Sequence, residues 1–384
     1  MKIKNRTDLT LFEAASIIIG HGIGAGIFSV PYLASYNSFR AAVLIIVFCA
    51  VFNIILHLLI AELSLNNGGA QFVSCFENEL FSGKLRKIFT WIAFALMGLS
   101  VVVNVSAYLT GAAAVFQSWF GLNDYTGMLL FYMICTAVVF VGIKLVGICE
   151  KFAVAAMVLV VCILFAATVK GSVFPLPTER RGLGNAVALF GIVSFSLSAV
   201  MSTPQVVKGL GGDRKKITGA IVAGIAVNAA IILFVTVTTL LGAGNDISED
   251  GAIVDLARHL GGWVSIIGYI FTLLALATSF WANTLNLRDI ICEQLHWKQN
   301  LCWAAASLPP LAFALFASAS FVKLSRLAGV ILVITSLGII LAYNKSRKRT
   351  GRSELLGRLG TLPFQILIVC CSLLATIGAV IQVG

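Results

Sequence analysis

The chain has 384 residues, 59% of them hydrophobic and only 11% charged, with a mean hydropathy of +0.99. That composition excludes a soluble globular domain and points to a polytopic membrane protein. The net charge of +11 would suggest nucleic acid in a soluble protein, but basic residues concentrated on one membrane face account for it here, so no nucleic-acid partner is expected.

Windows of about 20 apolar residues place eleven spans, roughly 9–35, 41–65, 88–119, 127–146, 151–170, 184–208, 217–243, 262–292, 300–317, 321–343 and 361–383. Met1–Asp8 is polar and charged and runs into the first span without a small-residue cleavage site, so no cleavable signal is expected. With the N-terminus cytoplasmic, 20 of the 27 basic residues lie inside; Arg40, Lys170, Arg180, Arg181, Arg258, Lys323 and Arg326 lie outside. This split sets the orientation in a cell (inner or plasma) membrane and puts the C-terminus outside. The connections are too short to fold alone, so residues 1–384 form one transmembrane domain.

Span one carries Gly20, Gly22, Gly24 and Gly26 at alternate positions. Glycine makes a helix easy to unwind, and unwound backbone at membrane depth is tolerated where it lines a cavity and meets a solute. The same glycines also form two small-xxx-small pairs suited to close helix packing, and span one alone leaves both readings open. Span six carries a second interruption, Phe195-Ser196-Leu197-Ser198-Ala199, closed by Pro204. Five crossings separate the two, so they run in opposite directions, the mark of an inverted repeat with a midplane site. The repeats would cover about 9–170 and 184–343, with an extra helix over about 361–383.

The nine cysteines lie mostly in apolar runs and are expected to be reduced, packed thiols. No Cys/His spacing suggests a resident metal. No Ser/His/Asp set or paired carboxylates appear in the spans, so no enzyme activity and no cofactor are expected.

Gly22-Ile23-Gly24-Ala25-Gly26-Ile27-Phe28 with Val30-Pro31, Ala61-Glu62-Leu63-Ser64 followed by Gly68-Gly69-Ala70, Gly142-Ile143-Lys144, and Phe195-Ser196-Leu197-Ser198 with Pro204 stand in this order along the chain. Together they resemble the amino acid–polyamine–organocation transporter superfamily, in its amino acid/auxin permease or tryptophan/tyrosine permease branch. The resemblance implies an all-α, leucine-transporter-like five-plus-five inverted repeat with 11 transmembrane helices, helices one and six interrupted. It also implies secondary active, cation-coupled symport of an amino acid by alternating access. The amides of Gly22, Ala25 and Gly26 would then accept the α-carboxylate, and carbonyls near Phe195 and Ser198 the α-ammonium. The Phe195 ring would close the site, and Tyr108 of helix three would reach the carboxylate. Ser198 and Ala199 leave room for a side chain that Phe195 and Trp281 wall in. No charged residue lies mid-span there, so the substrate is expected to be neutral, with aromatic amino acids included.

The coupling ion is read two ways. Thr278 and Ser279 in span eight, with the carbonyls of Gly22 and Ile23, offer a hard-oxygen set suited to Na⁺. His21, one residue before the break, is the proton-coupling alternative. The lysine that proton-coupled relatives place in helix five is absent, since the matching position holds Met157; the balance favours Na⁺. Glu62 is expected to pair with a base or cap backbone groups. The partners expected are the amino acid and the lipid bilayer, with no obligatory protein partner. The alternative reading is a nutrient receptor on the same fold, binding the same ligands without turnover.

Overall fold

The computed structural model describes residues 9–171, 173–179, 182–248, 251–316, 337–351 and 355–381. Among these residues the structure is helical throughout, with short connections. Span one is two helices, α1 (Leu11–Gly22) and α2 (Val30–Ser35), joined through a 3₁₀ turn at Ala25–Ser29. Then follow α3 (Phe39–Asn66), the short α4 (Phe72–Glu79), α5 (Arg86–Phe120), α6 (Asp124–Val141) and α7 (Ile143–Lys170). Span six is again two helices, α8 (Leu183–Ser196) and α9 (Thr203–Gly209), with a 3₁₀ turn at Val200–Ser202 between them. The chain continues through α10 (Arg214–Ala243), the short α11 (Ala252–Leu260), α12 (Trp263–Leu295), α13 (Gln299–Phe316), α14 (337–350) and α15 (Leu362–Val380).

Local chemistry sets the ends of these helices. Thr10 and Glu13 form a capping box at the start of α1: the Glu13 amide donates to Thr10 Oγ1 (3.2 Å) and the Thr10 amide to Glu13 Oε2 (2.8 Å). Asn123 and Asp213 cap α6 and α10 in the simpler one-sided way. Pro31 and Pro204 sit in the first turns of α2 and α9, where a missing N–H costs nothing. Gly142 stands at φ 114°, ψ −173°, a backbone that glycine adopts readily and that ends α6 and opens α7 with no intervening loop.

Seven helical segments among the described residues are long and apolar enough to cross a membrane, or eight if the bent pair of span one, turned by 55°, counts as one. Eleven spans were expected. The tenth (321–343) falls largely outside the described residues; α13 falls short of this criterion, and α15 is a shorter apolar helix. The fourth and fifth spans also divide earlier than expected. Lys144 lies inside α7 rather than at the end of the fourth span, because Gly142 alone makes the turn.

The two broken spans lie at the centre. α1 packs against α7, α10 and α12, while α8 packs against α3 and α15 and meets α2 and the Ala25–Ser29 turn. Ile17, Ile18, Ile23 and Ile27 are fully buried in the resulting core. One expectation about cysteines is corrected: Cys292 at the end of α12 and Cys302 in α13 form a disulfide, with Cα atoms 5.6 Å apart across the turn joining the helices. The other seven are free thiols.

Candidate substrate and cation site

The first break opens where α1 ends at Gly22. Ile23 turns out of helix (φ −72°, ψ 74°) and Gly24 is fully extended (φ −87°, ψ 180°) before the 3₁₀ turn starts at Ala25. The Gly24 amide donates to the Gly22 carbonyl (2.8 Å). The first N–H groups of a helix have no acceptor within it, so the turn from Ala25 and Gly26 presents amide hydrogens at the break. The second break opens after Ser196, through Leu197, Ser198 and Ala199.

The two breaks face each other. A Cβ placed on Gly26 would lie 3.1 Å from Ser196 Oγ and 3.6 Å from Phe195 Cδ1. Gly26, Ser196 and Phe195 therefore share one small space, and Phe195 remains 42% exposed at its edge. Gly22 serves another purpose. Its bare Cα leaves room for the amide of Asn228 in α10, onto which a Cβ would fall; that amide donates to the Ser196 carbonyl (3.1 Å) at the end of α8.

The second break is held by side chains that sequence reasoning missed. His57 of α3 is fully buried, and its Nε2 accepts the Ala199 N–H (2.9 Å). Its Nδ1 therefore carries the proton and donates to the Asn53 carbonyl (2.6 Å), which fixes a neutral ring. Asn286 of α12 donates to the Met201 carbonyl (2.9 Å) and to Gln71 Oε1 (2.8 Å). A histidine inside an apolar run was the available signal for His57, since ionisable residues in spans are rare. Asn228 and Asn286 carried none beyond being polar.

The cation candidates also converge. Thr278 Oγ1 donates to the Gly20 carbonyl (2.9 Å). Ser279 Oγ lies 4.0 Å from where a Cβ of Gly24 would be, and has no hydrogen-bond partner among the described residues. Ile23 is fully buried. His21 is half-buried: Nδ1 lies 2.5 Å from Ser202 Oγ, and Nε2 3.3 Å from the Asn283 amide. Asn283 reaches the Tyr108 hydroxyl through a long 3.5 Å contact, so a polar chain runs from α5 through α12 to α1 and the start of α9. Tyr108 is thus buried next to the break and linked to it.

Trp281 does not join this group. On a 3.6-residue helix it lies opposite both Ser279 and Asn283, and it neighbours Cys135 of α6. Glu62 caps backbone, accepting the amides of Leu355 and Leu356 (3.1 Å each) and a longer contact from the Tyr343 hydroxyl (3.4 Å).

Comparison with known proteins agrees with this architecture. Over 96% of its length the chain superposes on 90% of the nucleobase-cation-symport-1 family transporter Mhp1, in a closed conformation with bromovinylhydantoin bound, with a TM-score of 0.66 at 16% identity. It also matches MhsT in complex with L-phenylalanine, with a TM-score of 0.57 and 13% identity, covering 98% of this chain and 99% of that one. These likenesses show the leucine-transporter-like fold. Among curated proteins, the tyrosine-specific transport system 2 of Haemophilus influenzae is 25% identical over 363 residues, covering 86% of this chain and 85% of its own. Glutamine transporter 2 of Aliivibrio fischeri is 24% identical over 354 residues, with 87% and 88% covered. The model of the tryptophan/tyrosine permease family matches residues 7–378. The chain is therefore a multi-pass membrane permease rather than an enzyme, and it belongs to the tryptophan/tyrosine permease family.

Proposed function

We propose that the chain is a secondary active transporter that carries a neutral amino acid, aromatic ones included, together with a cation by alternating access. The observation that supports this most is the pair of broken spans meeting at Gly26, Ser196 and Phe195. Helix-start amides at Ala25 and Gly26 suit an α-carboxylate. The carbonyls released around Phe195 and Ser198 suit an α-ammonium, with Phe195 as the lid and Ala199 at the floor. Tyr108 reaches the same region through Asn283. No Asp, Glu, Lys or Arg lies in the 195–203 segment, and an unpaired substrate charge would be costly to bury there. The glutamine and tyrosine transporters among the relatives handle uncharged side chains, which supports the same substrate class.

The two halves, about 9–170 and 184–343, act as inverted repeats about this midplane site in a cell membrane. The N-terminus is cytoplasmic, as the basic-residue distribution favours. The coupling cation interacts near α1 and α12, where Gly20, Gly22, Ile23, Thr278, Ser279 and His21 gather.

The test is counterflow and gradient-driven uptake by purified protein in liposomes, with radiolabelled L-tyrosine and L-glutamine. Neutral amino acids are expected to compete; Arg, Lys, Asp and Glu are expected to fail. Binding without counterflow for any neutral amino acid would refute transport, and competition by a charged amino acid would refute the pocket chemistry.

A further inference from the structure

Hydroxyls buried in a membrane helix commonly turn back onto their own backbone. Ser106 of α5 donates to the Val102 carbonyl (2.7 Å), Thr236 of α10 to Ile232 (2.7 Å) and Ser307 of α13 to Trp303 (2.8 Å), each four residues back. In α8, Ser194 Oγ instead meets Cys49 Sγ of α3 (3.3 Å). Ser196, the last residue of α8, does neither. It is buried, and its Oγ has no hydrogen-bond partner among the described residues. A buried hydroxyl left in that state is costly, so its position calls for a partner.

The hydroxyl faces the first break. A Cβ built on Gly26 would have Ser196 Oγ, Ile192 Cδ1 and Phe195 Cδ1 as its three nearest neighbours, at 3.1, 3.5 and 3.6 Å. Two of these atoms are apolar, and Ser196 supplies the polar one. The backbone that carries it is fixed. The Asn228 amide donates to the Ser196 carbonyl (3.1 Å), and the Leu197 amide turns back onto Val193 (3.0 Å). Ser196 is therefore a donor held in place by α10 and set across the gap between the two broken spans.

What such a donor meets follows from charge. Neither broken span carries Lys or Arg, from residue 7 to 39 or from residue 182 to 207. An anionic group at Gly26 finds no cationic side chain on spans one and six, so neutral N–H and O–H donors must hold it. A hydrogen bond to an ionised acceptor is about twice as strong as a neutral one, so each such donor counts.

We propose that Ser196 is a substrate-binding residue whose hydroxyl donates to the α-carboxylate, completing from span six the donor set that span one begins at Gly26. The inference rests on the amino-acid reading above and adds the basis on which the ligand class is selected. The contact is made to a group that all α-amino acids share, which leaves the choice of side chain to other residues. It also joins binding to closure, because Gly26 belongs to one broken span and Ser196 to the other, and one carboxylate bridges them. An α-amide with the same side chain lacks the anionic oxygens and engages the hydroxyl weakly. A site built around such a hydrogen bond rejects the analogue that cannot make it, since the buried donor is then left unpaired.

The test measures binding to full-length purified protein, by displacement of radiolabelled substrate and by thermal shift. L-tyrosine, L-glutamine and their α-amides are compared on wild type, Ser196→Ala and Ser196→Cys, the cysteine filling the serine's space with a much weaker donor. Both variants are expected to lose affinity for L-tyrosine by about 10- to 100-fold, and for L-glutamine by the same factor. The preference for each acid over its α-amide should shrink accordingly, while the unfolding temperature of the ligand-free protein does not fall. If wild type binds only one of the two amino acids, the comparison with its own α-amide decides. Wild-type affinity in S196C overturns the proposal by making the residue a space filler. Losses that differ between the two amino acids overturn it by making the residue a side-chain contact. Equal losses for an acid and its α-amide, or a lowered ligand-free unfolding temperature in both variants, also overturn it and leave the amino-acid reading standing. Wild type that binds no neutral amino acid overturns that reading itself, and this inference with it.

Discussion

Spans one and six have the same plan and different means of support. Each is a helix, a break, a 3₁₀ turn and a second helix with proline in its first turn. In span one the break depends on what is missing: bare glycine Cα atoms leave space for Glu150 at Gly20, Asn228 at Gly22 and Ser196 at Gly26. In span six the break depends on what reaches it from outside. His57 of α3 takes the Ala199 amide, and Asn228 of α10 and Asn286 of α12 satisfy the carbonyls of Ser196 and Met201. Backbone freed from a helix inside a membrane must find partners. At the first break the Gly24 amide turns back onto the Gly22 carbonyl and the Thr278 hydroxyl serves the Gly20 carbonyl, while the second break relies on long polar side chains from other helices. The first kind tolerates no added atoms, and the second no lost ones.

Gly22 is where the two modes meet, and changing it should have the largest effect. Gly22→Val drives methyl groups into the Asn228 amide and toward the Ser196 carbonyl, disturbing both breaks at once. Amino-acid uptake should be abolished, with a stability loss of about 1–3 kcal/mol from overpacking, read by thermal unfolding in detergent. Full uptake by this variant would show that the glycine serves only general packing.

Removing a side chain that supports span six should weaken transport rather than abolish it. His57→Leu leaves the Ala199 N–H buried and unpaired, an expected loss of about 1–3 kcal/mol with weakened substrate binding by thermal shift. If H57L unfolds at the wild-type temperature, the break does not rely on this histidine. A smaller effect is expected at Thr278→Val, which removes one hydrogen bond to Gly20 and keeps the shape. The stability change should be about 1 kcal/mol, with the effect concentrated on gradient-driven uptake rather than on counterflow. An equal loss in both assays would detach Thr278 from the coupling region.

The smallest effect is expected at Lys144→Met. Its side chain is 39% exposed, so loss of the Glu13 pair should cost less than about 1 kcal/mol after solvent screening. Transport rate, not folding, is the informative measurement there, and an unchanged rate would mean that this pair does not hold α1.

What was legible in the sequence follows the same division. Glycines at alternate positions and a proline after each break are local signals, so both interruptions and their pairing could be read directly. The side chains that support span six are single polar residues in apolar runs, and their meaning lies in distances of more than 30 positions along the chain. Glu150 was missed for another reason. The apolar windows ended at 146 and resumed at 151, which left it in a connection. Gly142 makes that connection by itself, and its positive φ starts α7 early enough to carry Glu150 two turns inward. Trp281 was misplaced although helical spacing alone sets it opposite Ser279 and Asn283. Span count was least secure at the end of the chain, where α13 contains Pro309 and Pro310 and α15 is short.

The start of α1 has a mechanical consequence. The Leu9 amide donates to the Gly209 carbonyl (2.8 Å), its side chain fills notches at Gly209 and Gly147, and Glu13 grips Lys144 four residues further on. One short stretch is thereby fastened simultaneously to the end of α9 and to α7. Freeing this end of α1 from the bundle therefore requires contacts to two different helices, α9 and α7, to be given up, not one.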